Sequence, residues 1–163
     1  MNKYKKIFGV GPLGAALSLV LLYIFWEIDH YFEHPALTTN LILIQIIGIL
    51  SILIGLGIHF WTIWILRTWW VDNQICKSGP FKYIRHPMYA AWIIFVVSGV
   101  SLYLNSWVFL LWPLSIQPFW HIIVGREEKL LDEVFGDEYR LYLKSTGRFF
   151  PRIFSLSFRA EDS

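Results

Sequence analysis

Residues 41–66 read LILIQIIGILSILIGLGIHFWTIWIL, a run of 26 residues without an Asp, Glu, Lys or Arg. A helix that crosses the hydrocarbon core of a bilayer needs about 20 predominantly apolar residues. This run exceeds that need, so it reads as a membrane-spanning helix with length to spare for tilt or projection into the cytosol. Outward from it, three further segments qualify or come close, roughly residues 9–26, 88–104 and 107–124. Only Asn105 and Ser106 separate the last two, which predicts a tight antiparallel hairpin. The expected fold is all-α integral membrane, with four transmembrane helices in one domain over residues 1–163. Composition agrees: 56% of the 163 residues are hydrophobic and 16% charged, whereas soluble domains carry roughly 25% charged residues.

The N-terminus has the basic start and apolar run of a signal peptide. No small-residue cleavage site follows, and the run ends at Glu27, Asp29 and His30. It is therefore read as a retained first helix. Cys76 is the single cysteine, so no intrachain disulfide is expected. A net charge of +2 gives no reason to expect a nucleic-acid partner.

The cations set the orientation. Lys3, Lys5 and Lys6 precede the first helix; Arg67, Lys77, Lys82 and Arg85 lie between the second and third. Arg126, Lys129, Arg140, Lys144, Arg148, Arg152 and Arg159 follow the fourth, which completes the 14 Lys and Arg residues. The loop after the first helix holds Glu27, Asp29 and Glu33 but no cation. By the positive-inside rule, both termini and the 67–87 loop face the cytosol of a multi-pass protein. The cytosolic segment 125–163 is amphipathic: Leu130, Leu131, Val134 and Phe135 form an apolar stripe. Gly136 interrupts it, and Asp137 is expected to cap a second short helix with Tyr139, Tyr142 and Leu143 on one face.

Polar residues within spans mark cavities or helix contacts. Gln45, Gly48, Ser51, Gly55, His59 and Thr62 share about one third of the second helix's circumference, which close helix packing explains as well as a ligand does. On the fourth helix, Pro113 and Pro118 are expected to kink the backbone. Gln117, His121 and Glu128 line one face down to the cytosolic boundary, as a cavity opening there would require. His30 and His34, with Glu27 or Glu33, have metal-ligand spacing, but capping of a helix end is the preferred reading and no metal is expected.

Two cytosolic clusters carry candidate chemistry. Gly79-Pro80-Phe81-Lys82-Tyr83-Ile84-Arg85-His86-Pro87-Met88-Tyr89 leads into the third helix, and Arg126-Glu127-Glu128 leaves the fourth. Free backbone donors at a helix start, with Arg85 and His86 beside them, suit an anionic group. Carboxylates opposite suit a cation, so an amino-acid zwitterion matches the pair. A helix start with topological anchors explains the same residues about equally well on physics alone.

The chained motifs Arg85-His86-Pro87-x-Tyr89, Glu127-Glu128, Phe135-Gly136-Asp137-Glu138-Tyr139 with Tyr142, Gly147-Arg148 and Pro151 resemble the isoprenylcysteine carboxyl methyltransferase family, in a prokaryotic-type member. The phospholipid N-methyltransferases are similar in the first two motifs. The resemblance covers residues 73–152. It implies S-adenosylmethionine as cofactor, bound at the cytosolic ends of the last two helices under the C-terminal segment, and a prokaryotic inner membrane as location. It assigns His86, Tyr89 and Glu127 or Glu128 to the cofactor, with Arg85 shaping the loop or meeting the cofactor carboxylate. Gly99 makes room for the cofactor or a facing helix, and Arg148 sits near the acceptor. Asn73 stands where the family often has a histidine.

The activity implied is methyl transfer to a lipophilic acceptor, foremost the carboxylate of an isoprenylcysteine-like molecule. The catalytic candidates are Arg148 for a carboxylate acceptor, and Glu128 or His121 as base for an amine. Methylation of a phospholipid ethanolamine headgroup is the alternative. A sterol-reductase relative and a non-catalytic membrane scaffold are more distant ones. The oligomeric state is not legible.

Overall fold

The computed structural model describes residues 11–69 and 74–152. Lys3, Lys5, Lys6, Asn73 and Arg159 lie outside the described residues, so the expected cofactor contact of Asn73 cannot be placed.

Five helices follow in order: α1 Gly11–Tyr31, α2 Leu41–Trp69, α3 Pro87–Tyr103, α4 Trp107–Phe135 and α5 Asp137–Ser145. A 3₁₀ turn, Gly79–Lys82, precedes α3, and no β-strand forms among the described residues. Three helices, α1, α2 and α4, are long and apolar enough to cross a membrane, while α3 is a shorter apolar helix. The protein is thus a helical membrane protein with α3 below the usual spanning length.

Three expectations are corrected at helix ends. The first helix continues past Trp26 to Tyr31, and the fourth continues past Val124 to Phe135 without a break. Charged side chains end a hydropathy window, but they do not end a helix when the apolar stripe continues beneath them. Asp137 does not cap α5; Gly136 occupies the cap position at φ 53° and Asp137 sits in the first turn. A left-handed backbone is cheap for Gly, which explains why the chain turns there. Pro113 and Pro118 both lie inside α4.

The small face of α2 packs on α3. A Cβ on Gly48 would come within 2.7 Å of the Gly99 carbonyl, and one on Gly55 within 2.8 Å of Phe95. Between them the Ser51 hydroxyl donates to the Phe95 carbonyl at 2.8 Å. That carbonyl belongs to a π-helical segment, Ala91–Val97, where the wider turn changes the regular hydrogen-bond pattern. Thr62, fully buried, bonds back to the Ile58 carbonyl, and the His59 ring lies 6.0 Å from Trp92. Gly99 therefore makes room for α2.

On the other side, α1 packs on α4. Gly14 leaves space for the Trp120 ring, which a Cβ would meet at 2.5 Å. Trp112 Nε1 donates to the Ser18 carbonyl at 3.0 Å and Trp120 Nε1 to the Ser18 hydroxyl at 3.3 Å. Trp112, Trp120, Phe109, Ile93 and Val97 belong to the main buried core.

At the end away from the motifs, Ser106 caps α4 and donates its hydroxyl to the buried Asp29 carboxylate. His34 Nδ1 lies 2.5 Å from the other Asp29 oxygen. Asn105 exchanges two hydrogen bonds with Thr38, at 3.1 and 3.0 Å. The end of α1 and the loop after it thus serve as a clamp on the α3–α4 turn. His34 is committed to Asp29, and no metal-ligating cluster occurs among the described residues.

Candidate active site

Pro80 in the 3₁₀ turn and Pro87 in the first turn of α3 constrain the path of Ile84-Arg85-His86. The chain after α5 lies along this segment. Arg85 N donates to the Gly147 carbonyl at 2.8 Å, Gly147 N to the Tyr83 carbonyl at 3.3 Å, and His86 N to the Arg148 carbonyl at 3.1 Å. Backbone pairing therefore brings Arg148 from the far end of the sequence to the start of α3. Tyr142 reinforces it by donating to the Phe81 carbonyl at 2.6 Å.

Glu128 of α4 is the hub of the cluster. Its carboxylate receives Arg85 Nε at 2.8 Å on one oxygen and Arg148 Nη2 on the other. The Glu128 side chain is 9% exposed and that of Arg85 10%. Such a group is retained as an ion only because both oxygens meet cationic donors. The second guanidinium nitrogen of Arg85 donates to the carbonyls of Thr146 and, at 3.4 Å, Leu143. One arginine thus joins α3, α4 and the end of α5.

Glu127 faces a different partner. It accepts from Tyr89 Oη at 3.1 Å. The Tyr89 ring stacks on His86, with centroids 5.7 Å apart and planes at 7°, and lies 4.9 Å from Trp120. Two adjacent carboxylates therefore look into separate surroundings, because successive residues point about 100° apart on a helix.

Arg148 also donates Nη1 to the His121 carbonyl at 3.1 Å and approaches His121 Nδ1 at 3.3 Å. Since a guanidinium has no acceptor, His121 Nδ1 must accept there. Beyond Arg148 opens a cleft of about 570 Å³ between α4 and α5. Its walls carry Arg126, Lys129 and Arg140 as well as the apolar Ile122 and Leu143.

The structure brings together Arg85, His86, Tyr89, Glu127, Glu128, His121 and Arg148, all singled out in the sequence. Gly99 stands apart, ten residues beyond Tyr89 on α3 and so about 15 Å along its axis, against Gly48. Thr146 and Tyr139 were not singled out for a role. Thr146 acts through its carbonyl, which no side-chain motif can reveal. Tyr139 lies inside a quoted motif, 1% exposed, and burial pushes its phenol above the ordinary range.

The profile of the phospholipid methyltransferase family matches residues 34–138. Over 89 residues the chain is 32% identical to a protein-S-isoprenylcysteine O-methyltransferase of Dictyostelium discoideum, covering 50% of this chain and 35% of the relative. Over 83 residues it is 31% identical to the enzyme of that name from Schizosaccharomyces pombe, with the same two coverages. It is 32% identical over 85 residues to a methanethiol S-methyltransferase of Pseudomonas deceptionensis, covering 51% of this chain and 30% of the relative. The matched region spans about a third of the length of these relatives.

Proposed function

The chain belongs to the phospholipid methyltransferase family, and on that premise we propose that it methylates a lipophilic acceptor at the cytosolic face of a membrane. The favoured acceptor is a carboxylate of the isoprenylcysteine type, the substrate class in the names of two relatives. In this reading α3 joins α1, α2 and α4 as a fourth span, both termini are cytosolic, and the membrane is a prokaryotic inner membrane.

S-adenosylmethionine is the methyl donor of this proposal. The residues present fit such a group, because Tyr139 Oη is a buried polar atom without a hydrogen-bond partner among the described residues, and buried polar groups are rarely left so. His86, Tyr89, Glu127 and Arg85 would hold it; Glu128 would contribute by fixing Arg85. When bound, the cofactor supplies an electrophilic methyl group on a sulfonium.

The observation that carries the choice of acceptor is the engagement of every candidate base. Both Glu128 oxygens are held by arginines, and His121 Nδ1 is held by Arg148. An ammonium acceptor must lose a proton before it can attack. A carboxylate is already ionised at neutral pH and needs only a cation and alignment. Arg148, at the cleft beside Arg126 and Lys129, is the cation assigned to it in this proposal. The phospholipid-headgroup alternative draws on the family profile itself, and it requires one of these groups to be released.

The test is calorimetry of the detergent-purified protein with S-adenosylhomocysteine. Binding that Tyr89→Phe weakens about fivefold, as loss of one hydrogen bond implies, supports the site. A folded protein that does not bind would refute the methyltransferase reading. Labelled cofactor with a farnesyl-cysteine analogue or with phosphatidylethanolamine then separates O- from N-methylation.

A further inference from the structure

Tyr139 poses a physical problem that the reading above does not solve. It is the largest of the side chains with almost no exposure, at 1%, packed in a small core with Ile75 and Tyr142. Its hydroxyl makes no hydrogen bond among the described residues. A hydroxyl buried without a partner is destabilising relative to Phe, which fills the same space without desolvating a polar group. Tyr142, three residues on, shows the usual solution by bonding to the Phe81 carbonyl at 2.6 Å.

The surroundings of Tyr139 are those of the candidate site. The charges acting on its phenol are Glu128, Arg85 and Glu127. His86 Nε2 lies 3.4 Å from Glu128 Oε1, at the same carboxylate that Arg85 binds. Ile75, which packs against Tyr139, brings the segment before the 3₁₀ turn to the same place. α5 is held there by Arg85 through the carbonyls of Leu143 and Thr146, so the phenol is fixed in position before any ligand arrives.

We propose that Tyr139 is a cofactor-binding residue whose hydroxyl, unpaired among the described residues, hydrogen-bonds the polar amino-acid end of the methyl donor. The inference rests on the methyltransferase reading, and it adds α5 to the binding shell as a direct contributor in addition to its role as a cover. An amino-acid zwitterion is the ligand chemistry that these neighbours recognise, with carboxylates and cations within the same few side chains.

Tyr139→Phe separates this role from a structural one, because the two predict opposite signs. The variant should unfold at the same or a higher temperature than the parent, since it sheds an unpaired buried hydroxyl. Its affinity for S-adenosylhomocysteine, read by calorimetry, should fall by at least about tenfold, the lower end for a hydrogen bond to a charged group. Tyr142→Phe provides the contrast: it breaks the bond to Phe81 and should lower the unfolding temperature. Unchanged affinity in Tyr139→Phe would overturn the proposal. So would a lowered unfolding temperature, which would mean that the hydroxyl has a partner within the protein. Failure of the parent protein to bind at all refutes the methyltransferase reading instead, so the two failures are distinguishable.

Discussion

Glu128→Gln is the most informative single change, because one carboxylate holds three parts of the chain together. In the parent protein its two oxygens bind Arg85 from the start of α3 and Arg148 from the segment after α5. Removing one member of a buried ion pair costs about 3–5 kcal/mol, chiefly because the partner charge stays buried. The lower end applies here: the Arg148 side chain is 28% exposed, and Arg85 keeps the carbonyls of Leu143 and Thr146. About 3 kcal/mol corresponds to a fall in unfolding temperature of roughly 6–12 °C for a chain of this size.

The neighbouring substitution is the internal control. Glu127→Gln weakens one bond, from Tyr89 at 3.1 Å, and should cost about 1 kcal/mol. Thermal unfolding in detergent can be followed with a thiol-reactive dye, since Cys76 is the single cysteine and is half-buried. The double variant Glu128→Gln with Arg148→Gln should recover about 1–3 kcal/mol relative to additivity, because the two groups are in direct contact. Equal unfolding temperatures for Glu127→Gln and Glu128→Gln, or a strictly additive double variant, would refute the role of Glu128 as hub.

Gly48→Val should destabilise by about 1–3 kcal/mol through overpacking, since its Cβ would lie 2.7 Å from the Gly99 carbonyl. Gly57→Ala, where a Cβ meets nothing within 4 Å, should stabilise α2 by up to about 1 kcal/mol; equal unfolding temperatures for the two would contradict the α2–α3 contact. Asp29→Asn should lower stability by about 1–3 kcal/mol by weakening the clamp to Ser106 and His34, while S-adenosylhomocysteine affinity, read by calorimetry, stays unchanged. Burial holds the phenols of Tyr139 and Tyr142 above their ordinary value of 10.0. Their contribution is complete below pH 10.0 and is lost as pH rises beyond it, because the unfolded chain ionises first. Unfolding temperatures measured on either side of that pH should therefore drop on the alkaline side, and by less in Tyr142→Phe.

Much of the fold was legible because it depends on quantities the sequence carries locally. The apolar run of residues 41–66 makes α2 a membrane helix wherever the rest of the chain goes, and Pro87 sets the start of α3 through its own ring. The cluster of Arg85, His86, Tyr89, Glu127 and Glu128 was legible as a set of motifs. Hydropathy misplaced the ends of α1 and α4, because a window average falls where charges begin, whereas the backbone continues while one face stays apolar.

Contacts between distant segments were decided only by the tertiary structure. Helix phase already set Glu128 apart from Glu127 on the face of Gln117 and His121, but only the fold sends Glu127 to Tyr89 and Glu128 to two arginines. Gly99 could serve a ligand or a helix until Gly48 was placed against it. Arg148 reaches the start of α3 through backbone pairing, which side-chain identity does not encode. Tyr139 read as one of several apolar residues on an α5 face, and only three-dimensional packing left its hydroxyl buried and without a partner among the described residues. The sequence by itself determined which segments leave water and which side chains can carry chemistry, since hydrophobic burial and charge are properties of each residue. Which of those side chains meet depended on helix phase and packing, and these exist only once the whole chain has folded.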